Sequence, residues 1–492
     1  MDYVALHARF RPDKLAISDL AHNRHWTYSQ FDQSIARCVT ILEAGGVGTG
    51  DRVACLSKNR AELIALHLAC ARMGAIFVPL NWRLSPAEII QLIDDCMPTV
   101  LMGDSMAEGI GIDCQPIEEL FERCNSSEPT FPPAVSADLP SLILYTSGTT
   151  GKPKGVMLSE RNITETAINF SILGDVESQS GFLCESPMFH IVGLITSVRS
   201  PFLRGGHVVI SDGFVPERTL SRLSAPDLKI SHYFCVPQMA LALRGEESFD
   251  PEKLRHLKAV FTGGAPHPEV QIREWLNDGI ALVDGYGSSE AGTVFGMSLD
   301  RAIIDAKAGS VGVPTPRIGH RLVDNNGNIV PTGIEGELQL RGDNVTDGYW
   351  RRESDYQDFF TDDGWFHTGD ILMIDEDGFY RVIDRKKDMY ISGGENIYPA
   401  EIEALLVKFP GVREITVAGV PDKTWGDVGC IFYVTDSTTV TIEEFSDFLG
   451  GKLARYKLPR KVRKLEKIPR NSAGKILKHA LKEMFIGERY EK

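Results

Sequence analysis

Helical and extended patterns alternate along residues 27–110, and this alternation limits the folds open to the chain more than any other feature. Its segments are a helix at Tyr28–Ala44, a strand at Asp51–Leu56, a helix at Ala61–Met73, a strand at Ala75–Leu80, a helix at Pro86–Cys96 and a strand at Thr99–Met102. Strands joined through helices pair in parallel, because the helix carries the chain back to the same edge. The pattern predicts a parallel sheet covered by helices.

The alternation resumes after residue 140 and ends in two glycine-rich strings. Ala259–Phe261 is a predicted strand followed by Thr262–Pro266, and Ile280–Val283 is a predicted strand followed by Asp284–Gly292. In open α/β sheets, ligands bind beyond the carboxyl ends of the strands. We therefore expect the two glycine-rich strings to be loops that line a ligand site.

The pattern changes after residue 309. Residues 309–383 contain short strands and tight turns such as Asp324–Gly327, which are typical of β-hairpins. A charged run at Asp384–Asp388 separates them from a smaller α+β segment. We predict a large domain at 1–386, built of doubly wound α/β subdomains and a β-barrel-like subdomain. A hinge would join it to a small α+β domain at 387–492.

Composition disfavours several classes of protein. The 492 residues carry a net charge of −15, which disfavours nucleic acid and anionic membrane as general partners. Nine dispersed cysteines without a Cys-x-x-Cys pair indicate reduced thiols in a cytoplasmic protein. The N-terminus lacks the basic and apolar regions of a signal peptide. His67 and Arg72 interrupt the longest apolar region, so we expect no integral membrane segment, while peripheral membrane contact stays open.

The most specific string is Tyr145-Thr-Ser-Gly-Thr-Thr-Gly-Lys-Pro-Lys-Gly155, which follows a predicted strand at Ser141–Leu144. Glycines let backbone N–H groups approach an anion, hydroxyls donate hydrogen bonds to it, and lysines neutralise its charge. A Walker loop needs a glycine where this chain has Thr146. The string therefore suits a different clamp on nucleotide phosphates, although an isolated run of this kind is more often a flexible turn.

The string closely resembles the phosphate loop of the adenylate-forming superfamily, which contains acyl-CoA synthetases, aryl-CoA ligases, luciferases and peptide-synthetase adenylation domains. The resemblance covers essentially the whole chain. It is somewhat greater to bacterial fatty-acyl-CoA synthetases than to plant aryl ligases. It implies ATP, Mg²⁺ and coenzyme A. The phosphate contacts that it implies, the first of them also catalytic, are Thr146, Ser147, Gly148, Thr149, Thr150, Gly151, Lys152 and Lys154.

The resemblance also assigns the metal and nucleoside contacts. Glu290 would be a catalytic residue and the Mg²⁺ ligand, since Mg²⁺ takes oxygen ligands, and Ser289 keeps the hydroxyl that many relatives supply from Thr. The implied nucleoside contacts are Tyr286 stacked on adenine, Gly263, Gly264 and Ala265 over its other face, Asp284 at its amine, and Asp370 and Arg385 at the ribose. Taken alone, Tyr286 would be a core tyrosine and Arg385 part of a solvated charged loop.

Further implied roles lie near the C-terminus. Lys475 resembles the lysine that bridges the substrate carboxylate and the α-phosphate, where a cation favours the approach of two anions. Lys387 matches the hinge position of the family. Gly393 and Gly394 match a segment that lines the pantetheine tunnel of CoA. Outside this context, Lys475 would be a solvated lysine and the two glycines a tight turn.

An acid pocket is the last implied feature, and its residues are His190, Val236, Gly264, Gly287 and Val294. Neighbouring residues such as Met188, Phe189 and Ile191 make it mostly apolar. The absence of a clear basic residue there disfavours a dicarboxylic acid such as malonate.

We interpret the chain as an acid–CoA ligase. It would form acyl-AMP and pyrophosphate, and then transfer the acyl group to the CoA thiol, with a medium- or long-chain fatty acid as the expected substrate. The alternatives are an aryl acid–CoA ligase of the cinnamate or benzoate type, an adenylation enzyme that loads a carrier protein, a luciferase-like oxygenase and a non-enzymatic nucleotide sensor. The presence of both Lys475 and Glu290 disfavours the sensor.

Overall fold

The computed structural model describes residues 2–109, 111–146, 153–264, 267–324, 326–352, 356–385, 390–397, 399–406, 409–436, 439–469, 476 and 478–490. Contacts divide the chain into two compact units. The first unit comprises Met1–Trp82, Asp95–Tyr145 and Gly155–Asp384, and the second comprises Arg83–Asp94, Thr146–Lys154 and Arg385–Lys492. The predicted division after residue 386 stays a prediction. The compact units instead divide after residue 384, and the second unit also includes Arg83–Asp94 and Thr146–Lys154.

The described strands, in chain order, are β1 (Leu15–Asp19), β2 (Arg24–Thr27), β3 (Arg52–Leu56), β4 (Ile76–Pro79), β5 (Val100–Gly103), β6 (Gln115–Pro116), β7 (Pro140–Thr146), β8 (Lys154–Ser159), β9 (Gly181–Cys184), β10 (His207–Ile210), β11 (His232–Cys235), β12 (Ala259–Thr262), β13 (Leu282–Ser288), β14 (Gly292–Gly296), β15 (Val313–Pro314), β16 (Gly319–Val323), β17 (Gly336–Arg341), β18 (Phe366–Ile374), β19 (Tyr380–Arg385), β20 (Tyr390–Ser392), β21 (Glu395–Ile397), β22 (Glu414–Asp422), β23 (Gly426–Val434) and β24 (Lys461–Lys464).

The described α-helices are α1 (Tyr3–Phe10), α2 (Tyr28–Ala44), α3 (Ala61–Met73), α4 (Pro86–Cys96), α5 (Ser105–Gly109), α6 (Leu120–Asn125), α7 (Glu160–Leu173), α8 (Ser200–Arg204), α9 (Pro216–Leu223), α10 (Pro237–Arg244), α11 (Glu269–Asn277), α12 (Arg301–Ala306), α13 (Tyr356–Phe359), α14 (Pro399–Leu406), α15 (Ile442–Leu449) and α16 (Lys478–Tyr490). A π-helix spans Val192–Arg199, and 3₁₀ turns lie at Ile117–Glu119, Pro251–Lys253 and Arg455–Lys457. Within the described part of the chain, none of the helices is long and apolar enough to cross a membrane.

The parallel sheet predicted from the helix–strand alternation is confirmed. Among the described residues, the sheet has six strands in the order β6-β5-β3-β4-β7-β8, and pairing is parallel from β6 through β5, β3 and β4 to β7. The helices α2, α3 and α4 have the predicted bounds, whereas α5 and α6 were not predicted. At the start of α2, the side chain of Thr27 caps the helix and Gln30 returns the hydrogen bond, which satisfies two otherwise unpaired N–H groups.

A second sheet carries both glycine-rich strings. Nine of the described strands form it in the order β15-β14-β13-β12-β11-β9-β10-β1-β2, with parallel pairing from β1 through β10, β9, β11 and β12 to β13. Parallel pairing brings the carboxyl ends of β11, β12 and β13 to one edge, where a ligand site is expected.

One prediction about this sheet is wrong. The string after Val283 is not a loop, because β13 continues to Ser288 and pairs antiparallel with β14. Glycine has a weak intrinsic preference for strands, but here it permits a close hairpin. A Cβ atom on Gly287 would lie 2.2 Å from the carbonyl oxygen of Gly292, so the pairing itself requires glycine.

Two smaller sheets complete the described structure. β16, β17, β18 and β19 form a mainly antiparallel sheet in the first unit, in agreement with the predicted barrel-like hairpins. In the second unit, β20 to β24 form a separate sheet that packs with α14 and α15 around a core containing Ile402, Val417 and Phe445. The predicted combination of large α/β and small α+β parts is confirmed.

A buried ion pair holds the elements around the phosphate string. Arg199, at the end of the π-helix, donates to both carboxylate oxygens of Glu160 at 3.1 and 2.5 Å, and to Nε2 of His67 at 2.9 Å. The hydroxyl of Ser141 in β7 donates to Oε1 of Glu160 at 3.0 Å. Burial opposes ionisation of Glu160, but the charge and hydrogen bonds of Arg199 hold its pKa at about 2. The pair thereby ties α3, α7 and the π-helix to the strand that leads into the string.

Arg199→Met should lower the free energy of unfolding by about 3–5 kcal/mol, because it leaves a buried carboxylate without its counter-charge. Chemical denaturation measures the loss. Adding Glu160→Gln to this variant should regain part of the stability, and equal losses in the single and double variants would contradict a charge origin. In the wild type, the contribution of Glu160 should disappear as the pH falls from about 4.5 towards about 2, since folding lowers the pKa of this carboxyl.

Candidate active site

The structure brings together two residues predicted to contact the nucleoside. The hydroxyl of Tyr286 in β13 donates to Oδ2 of Asp370 in β18 at 2.6 Å. Asp370 is 4% exposed, and its backbone N–H donates to the hydroxyl of Thr368 at 3.1 Å. A ring and a carboxylate held this way offer a flat surface beside a strong acceptor, which suits a base and its ribose.

Asp284 fastens both glycine-rich strings. Its Oδ1 accepts from the hydroxyl of Thr262 and from the N–H of Gly285, and its Oδ2 accepts from the N–H of His267, each at 3.1 Å. Burial raises the pKa of Asp284 to about 7. Since both oxygens already accept from protein donors, Asp284 has a structural role, and its predicted contact with the adenine amine stays a prediction.

Gly263 and Gly264 directly follow β12, so they lie at the edge where the second sheet presents its strand ends. Gly264 has a φ of +83°. Ala265, the third residue predicted to cover adenine, lies outside the described residues.

Glu290, the predicted Mg²⁺ ligand, directly follows Ser289 in the turn between β13 and β14. Its Oε1 accepts from the hydroxyl of Tyr349 at 3.0 Å, and its carbonyl oxygen accepts from the N–H of Thr346 at 2.7 Å. Among the residues that the structure describes, no group of three or more His, Cys, Asp or Glu side chains could hold a metal alone. One oriented carboxylate fits Mg²⁺, which proteins usually hold through one or two carboxylates together with substrate phosphates.

Tyr349 is a functional candidate that sequence reasoning missed. It forms an antiparallel bridge with Val156, and the N–H of its neighbour Trp350 donates to the carbonyl of Gly155 at 2.8 Å. The segment with Tyr349 therefore runs beside the strand that leaves the phosphate string, while its hydroxyl reaches Glu290. The only local signal is a tyrosine between Gly348 and Trp350, which by itself is unspecific.

The ends of the phosphate string are described. Thr146 is the last residue of β7, and its hydroxyl donates to the carbonyl oxygen of Lys154, the first residue of β8, at 3.4 Å. The intervening predicted contacts lie outside the described residues, and they are Ser147, Gly148, Thr149, Thr150, Gly151 and Lys152.

Residues predicted for the acid pocket gather at neighbouring strands of the second sheet. Val236 follows β11, Gly264 follows β12, Gly287 lies in β13 and Val294 in β14, and these strands are consecutive in the sheet. His190 lies in the segment after β9, with its ring centroid 4.5 Å from that of Phe189. Val236 is half-buried, whereas Val294 is 0% exposed and packs in a core with Phe295 and Leu338, so its side chain offers no surface to a ligand.

The second unit contains the predicted CoA segment. The N–H of Gly393 donates to the carbonyl oxygen of Trp425 at 3.0 Å, and the guanidinium of Arg460 lies 4.3 Å from the centroid of the Trp425 ring. Sequence reasoning missed both Trp425 and Arg460. Gly394 follows in the same turn.

Other predicted residues of this part of the chain cannot be placed in the site. Arg385 ends β19, but the position of its side chain is outside what the structure describes. Lys387 and Lys475 also lie outside the described residues, so their roles stay predictions.

Tyr349→Phe removes one hydroxyl, so the Glu290 carboxylate loses its orienting donor. With ATP present, the Mn²⁺ concentration that half-saturates the protein should rise about tenfold. Electron paramagnetic resonance of bound Mn²⁺ measures this without turnover. Tyr356→Phe is the matched control, since Tyr356 is 45% exposed and stacks on Phe360. Equal Mn²⁺ affinity in wild type and Tyr349→Phe would contradict the orienting role.

Comparison with known proteins identifies the family. Residues 4–350 match the model of the AMP-binding enzyme family, and residues 401–475 match the AMP-binding enzyme C-terminal domain. Feruloyl-CoA synthase from Amycolatopsis sp is 37% identical, over 93% of this chain and 94% of its own length. Long-chain-fatty-acid–CoA ligase FadD13 from Mycobacterium tuberculosis is 35% identical, over 93% of each.

The chain is also similar to the solved structure of a CoA synthetase. A double mutant of o-succinylbenzoate CoA synthetase (MenE) from Bacillus subtilis, bound to its product analogue OSB-NCoA, has a TM-score of 0.88 and 30% identity and covers 98% of both chains. The family predicted from the phosphate string is thus confirmed. The chain belongs to the AMP-binding enzyme family, as an AMP-forming acid–CoA ligase that uses ATP, Mg²⁺ and coenzyme A.

Proposed function

We propose that this ligase activates a carboxylic acid that carries an aromatic ring. The observation that supports the nucleotide half of the site is the hydrogen bond between Tyr286 and Asp370, which joins the predicted adenine and ribose contacts. The acid would lie beside them, near the ends of β11 to β13, where Val236, Gly264 and Gly287 are found.

In the first half-reaction, a carboxylate oxygen attacks the α-phosphorus of ATP. A bond forms between these atoms, the bond to the bridging oxygen breaks, and pyrophosphate leaves with its electron pair. Lys475 supplies the cation between the two anions, which lowers their repulsion as they meet. Mg²⁺ bound through Glu290 would neutralise phosphate charge. A base is not required, since a carboxylate is already nucleophilic.

In the second half-reaction, the CoA thiolate attacks the acyl carbon and AMP leaves. We assign the thiol arm to the segment at Gly393 and Gly394. Trp425 lies against this segment, and the neighbouring Arg460 supplies a positive charge near it. An indole and a guanidinium suit a co-substrate that has an aromatic base and phosphates. Lys387 would be the hinge used between the two half-reactions.

The aromatic surroundings support a ring-bearing acid. Phe189 packs edge to face against Trp82, with ring centroids 6.2 Å apart, and it adjoins His190. On the second sheet, the ring of Phe234 lies beside Gly263, 3.2 Å from where a Cβ atom would be. Flat rings favour such edge and stacking contacts. The relatives named for feruloyl and o-succinylbenzoyl substrates also point to aromatic acids.

A fatty acid is the second candidate. FadD13, named for long-chain fatty acids, is nearly as similar to this chain as the feruloyl enzyme is. The apolar side chain of Val236 would also suit an acyl chain.

The test is pyrophosphate release with Mg·ATP across cinnamates, benzoates, arylacetates and fatty acids, with and without CoA. We expect CoA-dependent turnover and a thioester product, with kcat/KM for the best aromatic acid at least tenfold above that for any fatty acid. A preference for fatty acids would replace the first candidate with the second. Adenylate formation unaffected by CoA would contradict thioester synthesis.

Lys475→Ala should reduce adenylate formation by about 10²-fold or more, since the transition state loses its cation. Thioester formation from supplied acyl-AMP and CoA should stay near the wild-type rate. Single-turnover assays separate the two steps. Equal loss in both would show that Lys475 does not act specifically in the first.

A further inference from the structure

We propose that Asn59 is a positioning residue that sets acid selectivity by fixing residues 186–190, the segment that carries His190. The inference rests on the proposed function, because it takes this segment to be one wall of the acid pocket. Asn59 lies in the first unit, three residues beyond the end of β3, a strand of the six-stranded sheet.

The amide of Asn59 binds the segment at two main-chain positions. Its Nδ2 donates to the carbonyl oxygen of Ser186 at 2.8 Å, and its Oδ1 accepts from the N–H of Met188 at 2.8 Å. Asn59 is 4% exposed, so water cannot easily replace either bond. An amide has a donor and an acceptor in this planar arrangement at any pH, whereas a carboxyl has both only when it is protonated. The pair of bonds therefore fixes both the position and the orientation of the peptides on either side of Pro187.

The π-helix holds the segment from another side. A Cβ atom on Gly193 would lie 2.1 Å from the carbonyl oxygen of Pro187, so the helix and the segment are in direct backbone contact. The N–H of Leu194 donates to the carbonyl of His190 at 3.1 Å, and the N–H of His190 donates to the carbonyl of Pro187 at 3.0 Å. The place of the His190 ring thus follows from where residues 186–188 are held.

Trp82 adds a second contact from the six-stranded sheet. It follows β4, as Asn59 follows β3, and its ring packs against Phe189. Two adjacent strand ends of one sheet therefore hold a segment that continues from β9 of the other. The wall of the acid pocket depends on both sheets, and Asn59 makes the directional part of that connection.

Asn59→Ala tests the proposal, because it removes the acceptor of the Met188 N–H and leaves the carbonyl of Ser186 only a weak contact from the Cys184 thiol at 3.9 Å. We expect the KM for the preferred acid to rise about tenfold while the KM for ATP changes less than twofold. The ratio of kcat/KM between an aromatic and a fatty acid should also change at least threefold. Loss of kcat alone, with that ratio and both KM values kept, would overturn the proposal.

Asn59→Asp makes the KM for the acid depend on pH in a way that a purely structural role of Asn59 would not. A protonated carboxyl can donate to Ser186 and accept from Met188, whereas the ionised form can only accept. Burial raises the pKa of such a carboxyl. The KM for the acid in Asn59→Asp should therefore fall towards the wild-type value as the pH is lowered. A pH profile parallel to that of Asn59→Ala would count against the proposal, and this variant also serves if Asn59→Ala fails to fold.

Nearby groups that titrate are shared by all variants. Lys58 and Arg60 flank Asn59, Asp104 accepts from the backbone N–H of Lys58 at 3.1 Å, and His190 lies in the held segment. Profiles of wild type and Asn59→Ala over the same pH range remove their contribution, so only the difference that is specific to Asn59→Asp is interpreted.

Asn162→Ala is the matched control for stability. Asn162 is also buried and donates to two main-chain carbonyls, those of Asp343 at 2.9 Å and Val345 at 2.8 Å. We expect a comparable loss of thermal stability and an unchanged preference between acids, and a changed preference would overturn the proposal. If the wild type turns over acids but the Asn59 variants keep its selectivity, only the inference about Asn59 is rejected and the proposed function stands. If the wild type turns over no acid, the proposed function itself is rejected.

Discussion

The buried carboxylate of Asp284 is the constraint on which the candidate site depends. The register of β12 and β13 places it opposite Thr262, and it accepts hydrogen bonds from Thr262, His267 and Gly285. A carboxyl that is 2% exposed would be costly without such donors. One side chain therefore fixes both glycine-rich strings, and Tyr286, two residues further on, is held where its hydroxyl meets Asp370.

Two other polar contacts fix parts of the site that Asp284 does not reach. Tyr349 connects Glu290 to the strand that leaves the phosphate string, and Asn59 connects the end of β3 to the segment before His190. In each case a buried polar group meets a partner from a distant part of the chain. Such groups are costly when unpaired, so the contacts specify one arrangement of the loops around the site.

Sequence reasoning succeeded where the information was local. α2, α3 and α4 have the predicted bounds, and some of their end signals are local, since Thr27 and Gln30 cap the start of α2 and Gly74 ends α3 in the left-handed conformation. The error at β13 arose because glycine locally favours turns, whereas β14 supplies a ladder of hydrogen bonds that appears only in the folded sheet. The π-helix at Val192–Arg199 was likewise not predicted, although the contact of its Gly193 with Pro187 joins residues only six positions apart.

By itself, the sequence determined the family, the reaction class and the order of the predicted contacts, because its short strings resemble those of the family closely and in the same order. The tertiary structure alone decided which distant residues complete those strings. Tyr349 lies 59 residues from Glu290, and Asn59 lies 127 residues from Ser186. A hydrogen bond depends on approach to within about 3 Å. Folding of the sheets brings these groups together, and no spacing along the chain encodes that approach.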